Sequence, residues 1–148
     1  MFLKRWLKQA ANPVFEIGAA VVVKAGTKEV ETGFDMSGWQ GRITDIDDEN
    51  NLLTIEWDSI TLQALPSSYI EQSEENGYGW DQYFLAPTDV TLTSARDTEA
   101  DVADALVELQ RLYTWVALGP QGKAIQAVLK EVDPADTVAA ITTWEKHL

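Results

Sequence analysis

The 148-residue chain contains no cysteine. That excludes disulfides, thiolate nucleophiles and cysteine metal sites together. Histidine is nearly as scarce: the single one, His147, stands beside the last residue and supplies no zinc cluster. Basic residues are few, 11 Lys and Arg against 24 Asp and Glu, for a formal net charge of −13. A field of that sign repels phosphate backbones, whose binding needs clustered cations, so direct nucleic-acid binding is not expected. No apolar run approaches the ~18 residues of a membrane span. The first residues also lack the apolar stretch, roughly 7–15 residues long, of a secretory signal. A cytoplasmic protein is the expectation.

Catalytic motifs are missing as well. Gly122-Lys123 is followed by Ala124, and Ala117 stands where a phosphate loop needs its first glycine. Ser59, Ser67 and Ser68 lack a nucleophile-elbow context. Carboxylate pairs arise by chance among 24 acids, and none is marked as a general acid. The chain is therefore expected not to be an enzyme.

What is present suits a globular protein. Apolar residues make up 45% of the chain, enough for a buried core. Phe2, Leu3, Trp6 and Leu7 share one helical face and Lys4, Arg5 and Lys8 the other, until Asn12-Pro13 stops the pattern. Residues 1–12 are thus expected to form an amphipathic helix. It would either touch an anionic membrane surface or a partner, or pack on the domain with its basic face toward the acidic body.

Residues 14–93 read as a small antiparallel β-barrel. A strand through residues 14–24 precedes a long connection holding Gly26, Gly33 and Gly38. Strands at about 40–46 and 52–57 are joined by Asp47-Asp48-Glu49-Asn50-Asn51, the sequence form of a β-hairpin. Residues 60–64 alternate as a strand would, and 66–82 read as a Ser-, Glu-, Asn- and Gly-rich loop. A last strand is expected through either Tyr83-Phe84-Leu85 or Val90-Thr91-Leu92. Residues 97–148 turn helical. Thr98 and Asp101 suit a capping box, Gly119-Pro120 closes the first helix, and Asp133-Pro134 opens a third carrying Val138, Ile141 and Trp144. The fold class is α+β, a small antiparallel SH3-like β-barrel followed by a C-terminal three-helix extension.

The SH3-like label comes from a resemblance. Ile17-Gly18-Ala19-Ala20-Val21-Val22-Val23, a long loop, Gly38-Trp39-Gln40-Gly41-Arg42-Ile43 and Leu53-Thr54-Ile55-Glu56-Trp57 resemble SH3-like barrels. Among these the order is similar to that of the variable subunit of ferredoxin–thioredoxin reductase, over roughly residues 16–93. The resemblance implies a barrel that binds rather than catalyses.

Three groups of residues are candidate sites. Trp39 lies in the first long loop and Tyr78, Trp80 and Tyr83 in or just after the second; together they would form an aromatic groove for an extended peptide, with Trp39, Tyr78 and Trp80 as its anchors; alternatively Trp39 and Trp80 plug the barrel's ends. Asp45, Asp47, Glu49, Asn51 and Glu56 fall at the first, third, fifth, seventh and twelfth positions of an EF-hand-like calcium register. Asn50 stands where that loop needs glycine, and the flanks read as strands. Asp97, Asp101, Asp104 and Glu108 form an acidic helix stripe, the plainer reading of which is a solvated face. The function expected is a protein–protein interaction module for a basic partner. The alternatives are a calcium-binding protein using the 45–56 hairpin, with calcium as the only cofactor in view, and a nucleic-acid mimic that occupies a DNA-binding protein.

Overall fold

A computed structural model describes residues 14–132 of the protein. The amphipathic segment at residues 1–12 and the helix expected after Asp133-Pro134 lie outside the described residues. Strands β1 (Ala20–Val23), β2 (Gln40–Asp47) and β3 (Leu52–Trp57) lead into helices α1 (Ser59–Ala64) and α2 (Ser67–Asn76). Strand β4 (Gln82–Leu85), a 3-10 turn at Pro87–Asp89 and strand β5 (Val90–Leu92) follow. Helix α3 (Glu99–Tyr113), a second 3-10 turn at Thr114–Leu118 and helix α4 (Pro120–Leu129) complete the order.

The five strands form one antiparallel sheet in the order β4-β3-β2-β1-β5. Among the described residues no ladder joins the two edge strands, β4 and β5. The β2–β3 hairpin forms where it is expected. Asn51 takes the left-handed backbone at φ 54°, which asparagine tolerates, and the Asp47 carboxylate accepts from Asn50 N (3.1 Å) and Nδ2 (2.8 Å). A register shift between Ile43 and Asp45 bends β2. Gly41 faces Trp57 across the ladder, and a Cβ there would collide with the Glu56 carbonyl, so only glycine fits.

Two expectations fail in the middle of the chain. Residues 60–64 are helix rather than strand. The Asp58 carboxylate caps α1 by accepting from Thr61 N at 2.8 Å. Ser59, Thr61 and Leu62 turn inward while Ile60 stays outside, so the apparent alternation of apolar residues is coincidental. The expected loop at 66–82 contains α2, whose buried Tyr69, Ile70 and Ser73 recur at helical spacing behind a polar composition. The last strand is not a choice between two segments: both Gln82–Leu85 and Val90–Leu92 pair, at opposite edges. The first strand is shorter than 14–24, at Ala20–Val23.

The core runs from the sheet into the helices. Val21, Ile43, Leu53, Ile55 and Trp57 of the sheet share one buried cluster with Leu62, Tyr69 and Ile70 of α1 and α2 and with Ala105, Tyr113 and Val116 of the helical half. Each fully buried large side chain of this kind contributes about 1.5–3 kcal/mol. Two arginines fasten the halves. Arg96 forks onto Asp58 (2.8 and 2.9 Å), and Arg42 meets Asp97 at 2.8 Å while Asp97 accepts from Ser59 N at 2.7 Å. Helix α3 begins with the expected capping box of Thr98 and Asp101. Gly119, at φ 76° and ψ −148°, makes the turn into α4 in a conformation open essentially to glycine alone.

Candidate functional site

The long β1–β2 connection folds back on itself through a Lys28–Asp35 bridge, with Glu29 N donating to Phe34 O and Gly33 N to Glu29 O (both 2.8 Å). That tight return lays the Glu29 carboxylate inward, only 7% exposed. Oε1 accepts from Glu31 N and from Tyr83 Oη, both at 3.1 Å. Oε2 accepts from Thr32 N and from the Thr32 hydroxyl. Burial opposes the charge, but the donors of Thr32, Glu31 and Tyr83 outweigh it and hold the carboxyl below its ordinary pKa of 4.5. All four donors are neutral. Among the described residues no Lys or Arg pairs with Glu29.

This charge stands beside a groove of about 400 Å³. The 29–32 turn forms one wall, Tyr69 and Ser73 of α2 another, and the 77–79 turn with Gln82, Tyr83 and Phe84 the third. Gly77 ends α2 in the left-handed conformation at φ 73°, which sends Tyr78 out to the groove. Tyr78 is 49% and Phe84 54% exposed. The negative field registers on the phenols: burial first, then Glu29, Tyr83 and Asp81, push Tyr69 up to about 12. Burial and Glu29 likewise raise Tyr83.

The three aromatics expected to bind together are divided. Tyr78 reaches the surface. Trp80 is buried, its indole donating to Glu74 Oε1 at 2.8 Å. Trp39 packs edge-on against Trp57 (5.3 Å) and Tyr69 (5.4 Å) as part of the core's margin. Trp39 thus braces Tyr69 of the groove wall, whereas Trp80 is tied to α2 through Glu74. Tyr83, expected among the groove's aromatics, lines it, whereas nothing in the sequence singled out Glu29 and Phe84. The alternation of Gln82-Tyr83-Phe84-Leu85 was readable as a strand, but the Glu29–Tyr83 contact spans 54 positions and leaves no local signal.

The calcium register does not assemble. Asp45 and Asp47 stand on β2 opposite Thr54 and Leu52, Glu49 and Asn51 lie in the turn, and Glu56 faces Arg42. Glu56 sits four residues along β3 from the tip, about 13 Å at strand rise. Hydrogen bonds from Asn50 hold the Asp47 carboxyl below its usual range, which makes it a turn cap. Among the described residues no group of three or more acidic or histidine side chains is placed to hold a metal ion. The acidic stripe is likewise mostly engaged: Asp97 with Arg42 and Ser59, Asp101 in the capping box, Glu108 with Arg111.

Among the described residues no helix is long and apolar enough to cross a membrane. Gly122, of the incomplete phosphate-loop motif, lies where α4 crosses the Trp115 carbonyl too closely for any side chain. The chain matches no family model, no curated protein and no solved structure.

Proposed function

We propose that the chain is a non-enzymatic protein-interaction module with an SH3-like arrangement of strands, and that its Glu29–Tyr78–Phe84 groove takes a basic segment of a protein partner. The long β1–β2 connection, the β2–β3 hairpin and the return of β5 to β1 support the SH3-like reading. One observation carries the binding reading: a buried carboxylate balanced only by neutral donors, next to two half-exposed aromatic rings.

The chemistry follows from that pairing. Neutral donors spread the charge of Glu29 but leave its monopole, so the groove attracts cations, and Glu31 on the same wall adds to the field. An arginine or lysine entering there meets carboxylate on one side and ring faces on the other; a cation over such a face gains about 0.5–2 kcal/mol. Tyr and Trp commonly anchor interfaces, and Tyr78 is the member of the expected trio free to do so. Trp39, edge-on against Tyr69, braces the α2 wall of the groove.

Capture from native cell extract tests this. The chain should retain a basic protein at low salt and release it at high salt, because exposed ion pairs are screened within ~10 Å at 0.1 M. The Tyr78→Ala and Phe84→Ala variants, both at half-exposed positions, should lose the capture while keeping the fold. Retention unchanged in both would place the interaction elsewhere.

A further inference from the structure

The groove beside Glu29 lies against an open sheet edge. Among the described residues β4 pairs only with β3. The ladder fixes which of its main-chain groups are engaged. Trp57 N donates to Asp81 O at 3.0 Å, so these opposed residues are a hydrogen-bonded pair. Such pairs alternate along an antiparallel ladder, and the register makes Ile55↔Tyr83 and Leu53↔Leu85 the next two. Gln82 and Phe84, opposite Glu56 and Thr54, therefore turn their N–H and C=O groups away from the sheet. Among the described residues no hydrogen bond takes up these four groups. We propose that the basic segment held by the groove adds to the sheet as a further strand, antiparallel along the free edge of β4. The proposal rests on the groove reading above and says how the segment is gripped, by main chain as well as by charge.

Two observations choose this occupant. Tyr83 and Phe84 are neighbours on a strand and point to opposite faces, yet both line the groove. The groove therefore follows the edge itself, where an extended chain would lie. The second is charge. Proteins commonly guard an open edge with charged residues or proline on the strand; Gln82-Tyr83-Phe84-Leu85 has neither. Its surround is acidic instead, with Glu29 and Glu31 on the facing wall and Asp81 just before the strand. That field repels a second copy of a chain carrying −13 and admits a basic strand. The register follows. A residue opposite Tyr83 sends its side chain to the face where Tyr83 Oη meets Glu29 at 3.1 Å, which suits arginine or lysine. Residues opposite Gln82 and Phe84 project on the other face beside the half-exposed Phe84 ring, which suits apolar side chains. The segment recognised is thus apolar, basic, apolar.

Short peptides alternating valine and arginine test this in three forms: unmodified, N-methylated at the valines, and N-methylated at the arginines. Charge and side chains are the same in all three. In the register above the valine amides donate to Gln82 O and Phe84 O, whereas the arginine amides point to solvent. Methylating the valines should weaken binding by roughly ten-fold or more, two hydrogen bonds being lost; methylating the arginines should leave it nearly unchanged. On the full-length protein, the unmodified peptide should slow amide exchange several-fold at Gln82 and Phe84 and hardly alter Tyr83 and Leu85, which β3 already protects. Equal binding of the two methylated peptides, or a bound peptide that leaves Gln82 and Phe84 exchanging as before, would overturn strand addition while the groove reading stands. No binding of the unmodified peptide would overturn both. Protection of Gln82 and Phe84 that appears without peptide and grows with protein concentration would assign the edge to a second copy and also overturn the proposal.

Discussion

Buried carboxylates occur at two places in this molecule, and they are compensated in different ways. Where the sheet meets the helical half, Asp58 is forked by Arg96 and Asp97 is paired with Arg42. Both aspartates also cap α1, through Thr61 N and Ser59 N. Their charge is consumed in joining the two halves. At the return of the β1–β2 connection, Glu29 is just as buried but is held by two amides and two hydroxyls. Dipoles of that kind satisfy the lone pairs and leave the charge's field intact. The first arrangement is what a structural joint needs. The second, beside exposed Tyr78 and Phe84, is what a cation-binding groove needs.

Removing a cation from the joint should have the largest effect. Arg42→Ala strands Asp97 without its counter-charge in a buried place, and loss of one partner of such a pair costs about 3 kcal/mol. A urea titration would show the midpoint falling, with binding of a basic peptide by the remaining folded protein unchanged. Tyr83→Phe removes one of the four donors to Glu29 and should cost about 1.5–3 kcal/mol, the range for a hydrogen bond to a charged group, and toward its lower end because three donors remain. Here binding should weaken as well, because the carboxylate loses its position. If Tyr83→Phe destabilised more than Arg42→Ala, the contrast between joint and groove would be wrong.

Acid should reveal both carboxylates. Asp97, through Ser59 and Arg42 and against burial, and Glu29, through its neutral donors, titrate below their ordinary values of 3.8 and 4.5. Depressed folded-state values mean that the stability they contribute is full above those pH values and is lost as pH falls through the lowered ones. Unfolding followed by circular dichroism should therefore steepen below about pH 4.5, and Asp97→Asn should flatten that limb. At the other extreme Tyr69, pushed up from 10.0 to about 12, favours the neutral phenol in the folded state. Stability should decline as pH rises from 10 toward 12, less steeply in Tyr69→Phe. The smallest expected stability effect is that of Tyr78→Ala, within about 0.5 kcal/mol as for other surface substitutions, yet this variant should lose peptide binding.

Local chemistry was readable in the sequence. The 47–51 turn, the Thr98 capping box and the Gly119-Pro120 break each depend on residues within a few positions of one another, and all three form. The helix α1 was also written locally, in the Asp58 cap, but the alternation of Ile60 and Leu62 imitated a strand and competed with it. Helix α2 hid behind Ser, Glu and Asn because only three of its ten residues are buried. The site was less legible. An aromatic residue in a loop does not announce whether it faces water, and Trp39, Tyr78 and Trp80 took different answers. The Glu29–Tyr83 pair was closed by the fold between residues 54 positions apart, and no spacing rule reaches that far.

The most direct test maps a short arginine- and lysine-rich peptide onto the labelled protein by amide chemical shifts. Shifts confined to residues 29–32, 77–79 and 82–84, and absent in Tyr78→Ala, are the expected result. Shifts spread evenly over the acidic surface, with the 47–51 turn and the outer face of α3 responding as strongly as the groove, would contradict the claim that Glu29 and its aromatic neighbours form a specific site.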